Sequence, residues 1–476
     1  MGTEQVLMIV ALAFGFYMAW SIGANDVANA MGTSVGSGAL TIKKALIVAG
    51  VLEFAGALLV GSHVSETIRS GIISPDLPVF QENPMILVYG MTASLLSAAI
   101  WLQIASYLGW PVSTTHSIVG AVLGFGLVVG GMEAANWSEV SSIVSSWIIS
   151  PVLSGSVAFV LFSILRRIIY DTDDAVAAAK KVTPYLVFIV FWVLTLTTVF
   201  KGLKNLNLNL GFLEASILGS AVGLLAALIS FFLVRRIKSE PIEERVWVRQ
   251  PLVVEKSLSK VLNQLTKAAN AASGEVKERL DGMINELEAT HKEVARGMEV
   301  ERGSGEYKTV QRIFVYLQIM SAALVAFAHG ANDVANAIGP LAAVIAIVQS
   351  GQLVLKTAVP VWLLGVGGAG IVLGLATWGW RVMLTIGKKI TELTPTRGFT
   401  AEFSAALTIL FASKLGLPVS TTHTLVGAVL GVGLARGIGA LNLRVVLDIV
   451  ISWVITVPVG AIGAIIFFYV LKAIFG

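Results

Sequence analysis

The octapeptide GANDVANA stands at Gly23–Ala30 and again, unchanged, at Gly330–Ala337. A second string, PVSTTH, fills Pro111–His116 and Pro418–His423, and in both cases the copies lie 307 residues apart. Two motifs that keep one register over that distance mark a duplicated unit with both copies in use. The residues around GANDVANA are membrane-grade apolar, so each copy sets one Asp and two Asn where they are costly. A carboxylate at the centre of a bilayer costs about 2.5–3.5 kcal/mol even on the lenient insertion scale. Polar motifs duplicated within apolar helices point to an intramembrane site at a repeat interface.

The 476 residues are 56% hydrophobic and 13% charged, with a mean hydropathy of +0.83. A soluble chain carries about 25% charged residues, so the bilayer is the solvent here. Apolar runs of about 20 residues fit helices and exclude a β-barrel, whose strands alternate with period two. The chain has no cysteine, which excludes disulfides, thiol catalysis and thiolate metal sites. No phosphate loop and no nucleophile–base set appears, so an enzyme is the weakest reading and no nucleic-acid partner is expected. Met1–Trp20 lacks the basic start of a signal peptide and reads as the opening of a retained span.

Apolar segments run over 5–42, 45–68, 84–109, 113–131, 138–168, 183–200 and 210–234, then over 308–348, 357–380, 399–416, 420–435 and 443–474. The first segment of each half is twice the length one span needs, and its Gly, Asn and Asp predict a break in the helix at GANDVANA. The segments flanking PVSTTH are short and interrupted at Gly109-Trp110-Pro111 and Gly416-Leu417-Pro418, the pattern of half-helices that meet at a site. Lys43-Lys44, Arg166-Arg167 and Arg235-Arg236-Ile237-Lys238 mark inner loops in the first half. In the second half the bias reverses, with Arg381, Lys388, Lys389, Arg397, Arg436 and Arg444 on the other loops and Lys356 alone opposite Lys43-Lys44. The expected fold is an all-α polytopic membrane protein of two inverted-topology repeats with re-entrant half-helices, about 10–12 membrane segments and both termini outside. Its parts are repeat 1 (1–170), linking transmembrane helices (171–238), a cytoplasmic helical hairpin turning at Ser273-Gly274 (239–306) and repeat 2 (307–476).

PVSTTH has the parts of a helix start. Pro111 keeps the residue before it extended, Ser113 serves as N-cap, and the N–H groups of Thr114, Thr115 and His116 carry the positive end of the helix dipole. That is an anion site, and the hydroxyls of Ser113, Thr114 and Thr115 add donors. Ser420, Thr421 and Thr422 repeat it from the other side, and two converging helix starts make a cage for a tetrahedral oxyanion. GANDVANA supplies the opposite chemistry. Asp26 and Asp333 bring charge, and Asn25, Asn29, Asn332 and Asn336 bring neutral oxygens, a hard-oxygen set suited to Na⁺ or, if an Asp titrates, to a proton. Neither motif holds Lys or Arg. An oxyanion of about −1 to −2 beside two aspartates has only about +0.5 from each helix dipole, so cations must supply the balance. That favours symport over an anion channel, which calls for fixed cationic residues.

At these two motifs the chain resembles the inorganic phosphate transporter (PiT) family, and the resemblance spans both membrane repeats, leaving 239–306 uncovered. It implies a cation-coupled importer of inorganic phosphate in the cell membrane, with Na⁺ as the leading coupling ion. Protons, metal–phosphate complexes or sulfate are the family's other options. It implies no cofactor beyond the coupling ion, and it implies functional acidic residues at Glu53 and Glu402, which at the 307 offset face Pro360 and Leu95. His116 and His423, one turn into each half-helix, divide evenly between a structural hydrogen bond and a coupling or gating role. His329, whose counterpart is Ile22, is expected behind the site, and Gln103 and Gln318 read as interhelical glue. The expected partners are inorganic phosphate, Na⁺ and the lipid bilayer, with a homodimer left open.

Overall fold

The computed structural model describes residues 2–61, 65, 71–199, 210–238, 252–302, 305–353, 359–414 and 419–476. Lys356 and Gly416-Leu417-Pro418 lie outside the described residues. The first half holds α1 (Thr3–Gly36), α2 (Ile42–Val60), the short α3 (Pro78–Glu82), α4 (Pro84–Leu108), α5 (Thr114–Gly130) and α6 (Trp137–Leu165). Then come α7 (Ala175–Thr197), α8 (Phe212–Arg235), α9 (Leu252–Ala271) and α10 (Glu275–Arg302). The second half holds α11 (Gly305–Ser350), α12 (Val361–Thr377), α13 (Trp380–Lys389), α14 (Pro395–Lys414), α15 (Thr421–Arg436) and α16 (Leu443–Phe475). Among the described residues, eight helices are long and apolar enough to cross a bilayer: α1, α4, α5, α6, α7, α8, α11 and α16.

The packing is reciprocal across the duplication. α1 packs on α12 while α11 packs on α2, and α5 packs on α16 while α15 packs on α6. Each half therefore completes the other instead of forming a separate bundle. α7 and α8 pair with each other, Gly219 and Gly223 of α8 lying against Trp192 and Phe188 of α7. α9 and α10 pair likewise, joined at Gly274, whose φ of +66° makes the turn.

α1 and α11 pass through GANDVANA without a break, contrary to the sequence expectation. An unbroken helix satisfies its own main chain, which a bilayer demands, so no main-chain carbonyls are freed there. The small residues serve close approach instead. A Cβ on Gly23 would fall on the main chain of Ile371, and one on Gly330 on the main chain of Glu53. The same contacts correct the internal alignment. Gly56 faces Phe327 and Ala331 as Gly374 faces Trp20 and Ala24, so α12 follows α2 by 318 residues, and the counterpart of Glu53 is Ile371, not Pro360.

The break falls at PVSTTH. Gly109, at φ +71°, closes α4 with Trp110 N donating to Ala105 O, and four residues after Gly109 Ser113 caps α5. The second half restarts the same way, with Ser420 capping α15.

Candidate functional site

Both serine caps are built as expected: His116 N donates to Ser113 Oγ at 3.2 Å, and His423 N to Ser420 Oγ at 3.1 Å. Capping takes the histidine N–H out of the donor set. The free helix-start donors are therefore the N–H groups of Thr114, Thr115, Thr421 and Thr422, which have no carbonyl one turn back. The two starts touch. Thr115 Oγ1 donates to Val419 O at 3.3 Å, and Thr422 Oγ1 to Val112 O at 3.1 Å.

The GANDVANA asparagines bind these starts crosswise. Asn29 of α1 reaches the second half's pair, with Nδ2 2.8 Å from Thr422 Oγ1 and 3.4 Å from Thr421 Oγ1. Asn336 of α11 reaches the first half's pair, 3.2 Å from Thr114 Oγ1 and 3.4 Å from Thr115 Oγ1. The other two asparagines stay within their own half and fix the approach to each start. Asn25 Nδ2 donates to Trp110 O (3.1 Å) and Ser106 Oγ (3.0 Å), and its Oδ1 accepts from Val112 N. Asn332 Nδ2 donates to Val419 O at 3.3 Å and to Asp333 Oδ1 at 2.7 Å. All twelve residues named from the two motifs as phosphate or cation ligands are buried in this one cluster.

The aspartates are unequal. Asp333 accepts from Asn332 and, through Oδ2, from Thr421 Oγ1 at 2.8 Å. Asp26 makes no hydrogen bond. His329 is not behind the site: its Nε2 is 2.8 Å from Asp333 Oδ2 and 3.7 Å from Asp26 Oδ2, and its Nδ1 is 3.3 Å from Glu53 Oε1. Glu402 lies apart. Its Oε1 accepts from Thr33, from Ser34 (2.6 Å) and from Gln318 (3.3 Å), and its Oε2 from Ser321 (2.6 Å). Gln318 is thus a ligand of a buried carboxylate, a role a lone Gln in an apolar run does not advertise. Gln103 bonds to Tyr17.

His116 and His423 pack edge to face, 4.3 Å between centroids, inside a run of rings that ends in Trp147 and Trp453. His423 Nδ1 lies 3.2 Å from Trp147 O. They sit where the two half-helices meet.

The arrangement offers an anion four main-chain N–H groups and the hydroxyls of Ser113, Thr114 and Ser420, those of Thr115, Thr421 and Thr422 being already donated within the cluster, with carboxylate and amide oxygens directly alongside. The model of the phosphate transporter family matches residues 22–464. The chain is 44% identical over 473 residues to the chloroplastic inorganic phosphate transporter 2-1 of Arabidopsis thaliana, covering 99% of this chain and 73% of that one. It is 45% identical over 470 residues to a putative phosphate permease of Chlamydia pneumoniae, covering 98% and 99%. A solved structure described as the sodium-dependent phosphate transporter superposes with a TM-score of 0.79 at 38% identity, covering 98% of this chain and all of that one.

Proposed function

The chain belongs to the phosphate transporter family, and from that premise we propose that it is a multi-pass secondary transporter that imports inorganic phosphate with Na⁺ by alternating access. The observation that carries this reading is the crosswise bonding of Asn29 to Thr421 and Thr422 and of Asn336 to Thr114 and Thr115. It ties both helix starts to both GANDVANA motifs at one buried point, which supports a site where phosphate and its counter-ions meet between the repeats. Ser113, Thr114, Thr115, Ser420, Thr421 and Thr422 surround the phosphate, and Asn25, Asp26, Asn29, Asn332, Asp333 and Asn336 hold the cations. Among the described residues His329 is the one basic side chain at ion-pair distance from Asp26, Asp333 or Glu53. One imidazole cannot balance three carboxylates and a phosphate, which supports cation coupling. Na⁺ is favoured over H⁺ because the amide and hydroxyl oxygens add hard neutral ligands, and the similar solved transporter is described as sodium-dependent.

The test is phosphate uptake into proteoliposomes with Na⁺ and pH gradients imposed separately. Uptake that follows the Na⁺ gradient at constant pH is expected. Uptake that ignores Na⁺ and follows the pH gradient would replace Na⁺ by H⁺ in this scheme.

A further inference from the structure

Glu53, His329, Asp26 and Asp333 form a buried run of ionisable groups that the duplication does not account for. The positions matching His329 and Glu53 in the other half hold Ile22 and Ile371, so imidazole and carboxylate stand together on one side and two isoleucines on the other. The ligand atoms of Asp26, His329 and Asp333 lie within 4.8 Å of one another. All four side chains have 0% exposure. Neither oxygen of Asp26, neither oxygen of Glu53 and neither nitrogen of His329 makes a hydrogen bond. Buried polar atoms in native proteins are almost always bonded, and these six are held by ion-pair contacts alone, Glu53 on one side of the imidazole and the aspartates on the other.

Na⁺ is a hard cation and selects oxygen, so an imidazole among its ligands is a mismatch. Imidazole suits zinc, copper, iron and nickel ions, and divalent cobalt belongs to the same first-row series. A histidine that binds such an ion through one nitrogen almost always turns the other toward a carboxylate, which fixes the ring and raises its basicity. That order is present: Asp26 and Asp333 at Nε2, Glu53 at Nδ1. Two carboxylates also match a doubly charged ion better than a singly charged one. We propose that Asp26, His329 and Asp333 form a binding site for a divalent transition-metal ion of the zinc or cobalt type, with Glu53 orienting the histidine. The inference rests on the reading of Asp26 and Asp333 as cation ligands, so the metal competes with Na⁺. Entry follows the path that alternating access opens for Na⁺ itself.

The experiment is a Co²⁺ titration of the full-length protein in detergent, without phosphate, followed by visible ligand-field absorption. One Co²⁺ per chain is expected, with a band that Zn²⁺ bleaches and that Na⁺ shifts to higher Co²⁺ concentration. Glu53→Gln lowers the Co²⁺ affinity about 10–100-fold and keeps the band, while His329→Gln removes it. Wild-type protein that gives no band with millimolar Co²⁺, or a band that survives His329→Gln, overturns the site, and the wild-type arm does not depend on any variant folding. Sodium-driven uptake is read separately. Uptake intact with no cobalt band ends this inference alone, and sodium-independent uptake with the band intact ends the coupling scheme alone.

Discussion

Gly330→Ala adds one methyl group to the contact that seats α2 on α11. The new Cβ would stand 2.6 Å from Glu53 Cα and 2.7 Å from its carbonyl carbon, and nearer still to the carbonyl oxygen. Main chain cannot rotate out of the way as a side chain can. For 2.6 Å to open to an ordinary 3.4 Å, α2 has to withdraw by at least about 0.8 Å, and the nearer carbonyl oxygen asks for more. Overpacking of this kind costs about 1–3 kcal/mol, against a gain of about 1 kcal/mol from replacing a mid-helix glycine by alanine. The retreat also carries Glu53 away from His329. In a preorganised site a shift of about 1 Å costs on the order of 100-fold. Gly50→Ala on the same α2 is the control, because its Cβ meets only Val372 Cγ1 at 3.5 Å and Leu375 Cδ1 at 4.0 Å. The expected result is a lower thermal midpoint in detergent, read by tryptophan fluorescence, and at least tenfold slower phosphate uptake for Gly330→Ala. Gly50→Ala should match or exceed wild-type stability. Equal midpoints and equal uptake in the two variants would refute the claim that glycine is kept for helix contact.

The crosswise asparagines should behave as twins: counting only the shorter bond of each, to Thr422 and to Thr114, Asn29→Ala and Asn336→Ala each lose about 0.5–1.5 kcal/mol, so each should raise the phosphate KM at least roughly 2- to 12-fold, and a large effect confined to one copy would break the reciprocity. Asp26→Asn and Asp333→Asn should both weaken the Na⁺ dependence of uptake. Only Asp333→Asn should also lower the thermal midpoint, since Asp333 alone of the two accepts hydrogen bonds; wild-type Na⁺ dependence in both would count against direct ligation. In this cysteine-free chain, single cysteines at Pro78 and Ala440 should react with an impermeant maleimide from opposite faces of the membrane, the first from outside, and labelling from one face would exclude inverted repeats.

The duplication and the helix starts were legible because their chemistry is local. A serine before Thr-Thr-His has one obvious use after a proline, and its caps appear at Ser113 and Ser420 as read. The continuity of α1 and α11 was not legible. Glycine and alanine loosen a helix and also let another helix close on it, and the choice depends on the partner, here Ile371 and Glu53. The change of offset from 307 to 318 was hidden for a related reason: α2 and α12 share small residues at their contact faces but not the polar one. His329 looked peripheral because its counterpart is Ile22, and only the fold shows that Glu53 stands beside it. The crossing of Asn29 and Asn336 to the opposite half is tertiary information, as is the gathering of Thr33, Ser34, Gln318 and Ser321 on Glu402.

The unlike pairs, His329 with Glu53 and Ile22 with Ile371, bear on energetics as well as on ligands. A transporter made of two identical inverted halves would have outward-facing and inward-facing forms that are mirror exchanges of each other and equal in free energy. Its resting population would then be set by ion gradients alone. Under the alternating access proposed above the exchange is not neutral, because the polar pair would change surroundings while the isoleucine pair took its place. In that scheme the chain would carry a built-in preference for one face when no ion or phosphate is bound. That preference should survive in symmetric solutions, where a perfectly duplicated molecule would divide itself evenly between the two.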